Sequence, residues 1–222
     1  MEPQRDSFRI RDVFGPEYRY SFITACLLLG LSYVAEHFAN LYELSYSLRP
    51  TSTPVGDLLL DNLPVVNLNF IIVEGALLAI LAGTVFVLLR PRYILFTLKS
   101  LALLIIVRAL FVSLTHVGIY PGNIDPGVGI FDGIYTYLNF QTGFFFSGHT
   151  ALPFLMALIF WQERPARIAF LSLSCIFGVA VLLAHIHYSI DVLAAPFMAY
   201  GIFNSAHYLF PRDRELIERG IS

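Results

Sequence analysis

Long apolar runs separated by short polar links dominate the chain, falling near residues 20–38, 67–89, 93–115, 147–161, 168–185 and 190–210. As helices, each is long enough to span or nearly span the hydrocarbon core of a bilayer. The pattern predicts an all-α fold, an integral membrane bundle of about six transmembrane helices. It forms one transmembrane domain over residues 1–222, with short polar tails near 1–19 and 211–222 and no repeat, linker or low-complexity tract. The first run is too long for the apolar centre of a signal peptide and has no small-residue cleavage site, so it is expected to be retained as the first span. Residues 39–66 hold Pro50, Pro54, Gly56 and Pro64 and are not expected to form one continuous helix. Their DLLLDNLPVV portion is expected to lie along the membrane surface.

Composition narrows the class. Of 222 residues, 57% are hydrophobic and 14% charged. The mean hydropathy is +0.69. These values exclude an ordinary soluble domain. A net charge of -2, with no basic and aromatic pattern to track a phosphate backbone, gives no reason to expect a nucleic-acid partner. Cys26 and Cys175 both fall inside apolar runs and read as small packing or lipid-facing residues.

Orientation follows from the arginines. With six alternating spans, the N-terminal tail, the links holding Arg90, Arg92, Arg164 and Arg167, and the tail with Arg212, Arg214 and Arg219 share one side. That side is expected to be cytoplasmic, with both termini. The opposite loops hold Arg49 as their only cation, beside Glu43, Asp57, Asp61, Asp125 and Asp132.

Three segments then deliver unusual polarity to the outer depth of the bilayer. At about 1.5 Å of rise per residue, His187 lies about 30 Å beyond Arg167, and Arg108 about 24 Å beyond Arg92. His149 opens the fourth run on the same outer side. An arginine inside an apolar span is a functional candidate by default, the alternative for Arg108 being snorkelling to the interface. In the stretch AHIHYSIDVLA, 184–194, His187 and Asp191 share a face if helical, so the carboxylate would grip one ring nitrogen and leave the other free. The competing reading is a helix start at Ser189 and Asp191 after a turn at His187 and Tyr188. Two histidines, a carboxylate and an arginine suit phosphoryl chemistry without an obligatory metal: one imidazole attacks phosphorus, the second protonates the departing oxygen, and the guanidinium holds the phosphoryl oxygens. The backbone amides of Ser147, Gly148, His149 and Thr150, opening a helix, would add an anion site.

FSGHT at 146–150 with HYSIDV at 187–192 resembles the paired motifs of the type 2 phosphatidic acid phosphatase superfamily, and within it the sphingomyelin synthase branch. The segment RALFVSLTHVGIYPG, 108–122, is similar to that branch's arginine-led segment. The resemblance implies a catalytic triad of His149, His187 and Asp191, with His187 as nucleophile and His149 as proton donor to the leaving group. It implies a membrane enzyme that moves a phosphate-linked headgroup from a phospholipid donor to a lipid alcohol, ceramide or diacylglycerol, through a phosphohistidine, with no cofactor. Ala180 and Val181 stand where the phosphatase pattern has Ser-Arg, and Leu101 stands where it has lysine before Arg108, so a headgroup transferase is favoured over a water-using phosphatase. Gln141, Thr142 and Gly143 replace the Cys-Gly-Asp that precedes SGHT in the synthases.

Alternatives remain on the same residues. A lipid phosphate phosphatase or phospholipase C-type hydrolase needs only water as acceptor, and a non-enzymatic lipid transporter or scramblase would use the polar groups as a pathway, although it needs no nucleophile with an orienting carboxylate. A metal site on His185, His187 and Asp191 has no second cluster to support it. His185 is expected to be packed and hydrogen-bonded. Glu74 either pairs with Arg108 or lines a polar cavity. His116, Tyr120, Asp132, Tyr135 and Tyr137 are expected at the outer interface, as are Phe140, Phe144, Phe145 and Phe146 as an aromatic belt.

Overall fold

Among residues 8–47, 49, 52–124 and 145–219, which the computed structural model describes, all regular structure is helical. A four-residue α1 (Ile10–Val13) precedes α2 (Arg19–Ser47). A π-helical segment, Phe70–Gly75, runs straight into α3 (Ala76–Leu88), and α4 (Pro91–Leu114) follows a tight link. Then come α5 (Gly148–Ile159), α6 (Arg164–Leu183), α7 (Ser189–Leu209) and α8 (Pro211–Glu218). Proline occupies the first or second position of α4, α6 and α8, where its missing N–H would have had no helical partner anyway.

Among the described residues, four stretches are long and apolar enough to cross a membrane: Arg19–Ser47, Phe70–Leu88, Pro91–Leu114 and Arg164–Leu183. With the shorter apolar α5 and the 21-residue α7 beside them, they form an all-helical bundle compatible with about six spans. Leu27, Leu31, Phe38, Leu78, Leu81 and Phe197 stand exposed on its outside. Such a belt belongs against lipid rather than water.

One end of the bundle gathers the links that the arginine pattern placed together. Arg90, in the link before α4, donates to Glu163, in the link before α6, at 2.6 Å. Nearby, Tyr93 stacks on Phe160 at 4.4 Å between ring centroids, and Phe160 stacks on Phe170. Lys99 of α4 is almost fully buried, and its Nζ donates to Asp213 of α8 at 2.6 Å and to Ser21 of α2 at 2.8 Å. The Ser21 hydroxyl donates to the other Asp213 oxygen, closing the triangle. Both chain ends are therefore more than polar tails: Val13, Leu216 and Ile217 are buried in the same core as Phe96, Phe146 and Leu155.

The first span is longer than the hydropathy pattern indicates, since α2 continues nine residues past 38 to Ser47. Glu43, expected in an outer loop, instead sits inside this helix and is 1% exposed. Ser32, Asn40 and Glu43 are buried along one side of α2, and Glu36 on that side forms an ion pair with Arg108 of α4. Polarity that looked like the end of a span is thus the packed face of a longer one. The DLLLDNLPVV stretch forms a hydrogen-bonded turn, with Leu60 2% exposed, that folds against the start of α7.

Removing one partner of the Lys99–Asp213 pair strands a charge in an apolar interior, which typically costs about 3–5 kcal/mol. Lys99→Met should therefore lower the unfolding temperature in detergent sharply, and adding Asp213→Leu should restore much of the loss. Equal melting of Lys99→Met and wild type would show that the pair does not hold α2, α4 and α8 together.

Candidate active site

The break between α6 and α7 carries His187, and its geometry is set by how α6 stops. The Ile186 amide donates to the Val181 carbonyl and the His185 amide to the Leu182 carbonyl, both at 3.0 Å. His185 itself is left-handed, with φ 54°. This pair of bonds is a Schellman ending in which histidine occupies the position glycine usually takes. The apolar contact that accompanies such endings is present, because Val181 and Ile186 are buried in one cluster with Ile72.

Two residues later the chain turns into α7. Tyr188 is the N-cap and Asp191 the third helical residue, so the helix-start reading of this stretch holds. The pairing reading holds as well, because Asp191 Oδ2 accepts the Tyr188 amide at 3.2 Å and lies 3.3 Å from His187 Nδ1. His187 and Asp191 are 6% and 3% exposed. With Nδ1 turned to the carboxylate, Nε2 is the ring nitrogen that Asp191 does not engage.

The second motif is tied to the first through backbone. The Ser147 amide donates to the Asp191 carbonyl at 2.9 Å, which locks the start of α5 to the first turn of α7. Of the four amides expected to form an anion site, Ser147 is thereby occupied, and Thr150 donates to the Ser147 carbonyl at 3.2 Å. The amides of Gly148 and His149 are first and second in α5. Ser147 Oγ and Thr150 Oγ1 are buried without a hydrogen bond among the described residues. Just before them, Phe145 and Phe146 both take positive φ, 137° and 29°, a strained path into the helix. Phe146 is fully buried in the core rather than part of an interfacial belt.

The His149 ring lies 6.4 Å from that of His187, centroid to centroid. It also makes a hydrogen bond to the backbone of Ile72, within the π-helical segment. Irregular turns of this kind inside longer helices recur at functional sites. Arg108 completes the group: a Cβ built on Gly148 would lie 3.6 Å from Arg108 Nε, so the guanidinium sits against the opening of α5. Its ion pair with Glu36 of α2 places a carboxylate there that the sequence pattern did not single out. The spacing of Glu36, Asn40 and Glu43 on one helical face was the available signal.

His185 does not join His187 and Asp191. Its ring is buried against Tyr120, at 5.4 Å between centroids, and neither ring nitrogen has a hydrogen bond among the described residues. It is packed as expected. No group of three or more His, Cys, Asp or Glu side chains able to hold a metal occurs among those residues. His116 packs between Tyr42 and Tyr46 at the end of α2. Asp125, Asp132, Tyr135, Tyr137, Phe140, Phe144 and the positions 141–143 lie outside the described residues.

Segments 52–66 and 118–124 close over the break. The Tyr188 hydroxyl donates to the Gly118 carbonyl at 2.7 Å and accepts the Val55 amide at 3.3 Å. Asp57 accepts the Ser189 amide at 2.7 Å and its hydroxyl at 2.9 Å. Burial pushes the Asp57 carboxyl up, but the Ser189, Leu59 and Leu60 hydrogen bonds outweigh it and hold it below the usual carboxylate range. Tyr120 donates to Asp61, and that bond raises its phenol to about 12.

The family model described as PAP2 superfamily C-terminal matches residues 142–208, which contain both motifs. The comparisons with curated proteins and with solved structures give no match. The family match supports the PAP2 superfamily and indicates an enzyme of phosphatase or phosphotransferase type in a multi-pass membrane setting.

Gly178 of α6 lets the two motif-bearing helices close around it: a Cβ there would lie 3.2 Å from Val192 of α7 and 3.4 Å from Thr150 of α5. Gly178→Ala should be mildly destabilising, whereas Gly178→Leu should lose about 1–3 kcal/mol by overpacking and lower activity as α5 and α7 part. Thermal unfolding in detergent checks the first effect and turnover the second. A fully stable and active Gly178→Leu protein would contradict this packing.

Proposed function

We propose that the protein transfers a phosphate-linked headgroup from a phospholipid to a lipid alcohol, ceramide or diacylglycerol, through a phosphohistidine. The observation that carries this reading is His187 turned by Asp191 at Nδ1 and facing His149 across 6.4 Å, beside the Arg108–Gly148 contact. His187 Nε2 attacks the phosphorus, the bond from phosphorus to the diacylglycerol oxygen breaks, and His149 gives that oxygen its proton. The acceptor hydroxyl then returns a proton to His149 and attacks phosphorus, breaking the N–P bond. Arg108 and the opening amides of α5 hold the phosphoryl oxygens, with Ser147 and Thr150 lining the same turn. Asp191 fixes the tautomer and orientation of His187.

Two features favour transfer between lipids. Ala180 and Val181, where a phosphatase of this superfamily would carry Ser-Arg, are apolar core residues packed with Ile72. On the outer surface nearby, Leu68, Ile71, Cys175, Ile176, Val179 and Ala180 line an apolar groove suited to an acyl chain. The test is incubation of purified protein with labelled phospholipids, with and without ceramide and diacylglycerol. Labelled lipid product that requires an acceptor supports transfer. Free headgroup phosphate, unaffected by acceptor, would replace it with hydrolysis, and no turnover at all would remove the enzymatic reading.

The histidines should separate by leaving group. His187→Ala should abolish turnover and the covalent intermediate, and Asp191→Asn should leave a folded protein slowed by roughly 10²–10⁴-fold. His149→Ala should also be slow on phospholipid, but its defect should shrink on a nitrophenyl ester whose leaving group needs no proton. Phosphate trapped on His149 rather than His187 would reverse the assignment.

The reading also places the site toward the outer leaflet, at the end remote from Arg90, Arg164 and Arg212. With Cys26 and Cys175 replaced by serine, Asn62→Cys should react with an impermeant reagent on intact cells and Arg212→Cys should not. The opposite labelling pattern would put the chemistry on the cytoplasmic face.

A further inference from the structure

The first turn of α7 is capped by a residue 132 positions away in sequence. Asp191, third in the helix, already closes a capping box by accepting the Tyr188 amide at 3.2 Å on the oxygen that faces His187. The Ser189 amide, next in the turn, needs a separate acceptor. Were Asp191 to swing toward it, the carboxylate would leave both the Tyr188 amide and His187. Asp57 removes that competition. One of its oxygens accepts the Ser189 amide and hydroxyl at 2.7 and 2.9 Å, and the other accepts the amides of Leu59 and Leu60 at 3.0 and 3.1 Å. Both oxygens are thus doubly engaged in a side chain 7% exposed, and the turn that carries it is anchored by buried Leu60.

The same outer segment grips the break at further points. The Val66 amide donates to the Leu183 carbonyl at 2.8 Å, and the Val55 amide donates to the Tyr188 hydroxyl. Gly118 bonds to the Thr53 carbonyl so closely that a Cβ would lie 2.6 Å from Thr53 backbone, which only glycine permits. The region is therefore built against backbone displacement on both sides of His187.

We propose that Asp57 is a positioning residue for the transfer reaction: by capping α7 at Ser189 from the 52–66 segment, it keeps the Asp191 carboxylate on the Tyr188 amide and His187 and fixes the turn that carries the nucleophile. The inference rests on the transfer reading above. It places Asp57 in contact with neither substrate nor reacting atoms, and so separates it from a binding role. Its loss should lower kcat and leave KM nearly unchanged, because misplacement of a reacting group by about 1 Å can cost on the order of a hundredfold in rate.

The experiment is a variant series assayed on the full chain in detergent and lipid. Asp57→Ala should lower kcat by about tenfold to a hundredfold. Asp57→Asn, which keeps one acceptor oxygen, should fall less, and Ser189→Ala, which removes the hydroxyl bond and keeps the amide bond, should fall least. Unlike His149→Ala, the Asp57→Ala defect should persist on a nitrophenyl ester, since attack rather than leaving-group protonation is impaired. Because Asp57 acts through Asp191, the double variant Asp57→Ala/Asp191→Asn should be no slower than Asp191→Asn alone. Hydrogen exchange should quicken across residues 185–192 with α4 unchanged. Unaltered kcat in Asp57→Ala, multiplying losses in the double variant, or a defect confined to KM would each overturn the positioning role. Should Asp57→Ala fail to fold, Ser189→Ala and Asp57→Asn carry the same tests. A wild-type protein without turnover of any lipid phosphate would instead overturn the transfer reading itself.

Discussion

The joint on which the site depends is the first turn of α7, where one residue ties three segments. Asp191 faces His187 with a carboxylate oxygen, caps Tyr188 with the same oxygen, and receives the Ser147 amide on its carbonyl. In a desolvated setting a polar group left without its partner costs about 1–3 kcal/mol, so none of these bonds is readily exchanged for another. Residues with positive φ, Phe146 and His185, lie just before the two motifs. Such conformations cost of order 1–3 kcal/mol each and persist only where their surroundings over-determine them. Here the surroundings do so: Phe146 is fully buried, and His185 is held by the hydrogen bonds that end α6.

Two cations on α4 show how position sets what a buried charge meets. Lys99 is fully engaged by Asp213 and Ser21, at the end where α2, α4 and α8 meet. Arg108, nine residues further along the same helix, sits against Gly148 at the opening of α5. Glycine at that point lets a guanidinium approach the helix start, where backbone dipoles favour an anion. The Glu36 pair holds Arg108 from the α2 side. In the transfer reading, a guanidinium held on one side by a carboxylate is pre-organised for the phosphoryl group on the other, and rigid forks of this kind lose less entropy per hydrogen bond than flexible ammonium groups.

Much of this was legible in the sequence because the signals were local. The apolar runs predicted the helices to within a few residues at most ends, and the SGHT and HYSIDV stretches brought His149, His187 and Asp191 forward. Both readings of the second stretch were right in part, since a carboxylate at the third helical position can cap and orient at once. What stayed hidden was long-range pairing. Glu43 looked like a loop residue because hydropathy counts polarity without asking what it packs against. Lys99 and Asp213 are separated by 114 positions, and Asp57 and Ser189 by 132, and neither pairing leaves a periodic trace. His185 is packed as expected, but in a left-handed turn that no periodic pattern announces.

Placing His187 in a helix break raises a problem that the fold has to solve, because non-helical backbone at membrane depth is tolerated only when protein or a water-filled cavity surrounds it. The break at 183–189 is enclosed by protein. Leu183 and Ala184 carbonyls accept the Val66 and Ile124 amides, the His185 and Ile186 amides are bonded within the end of α6, and the Tyr188 and Ser189 amides go to Asp191 and Asp57. A continuous helix would have satisfied the same groups with no outside help, but it would have kept His187 on a regular helical surface with its neighbours in fixed register. The irregular turn frees the ring to meet His149 on another helix, and the segments 53–66 and 118–124 provide hydrogen bonds that the missing helix would have made. Those segments are as much a part of the site's architecture as the helices that carry the histidines.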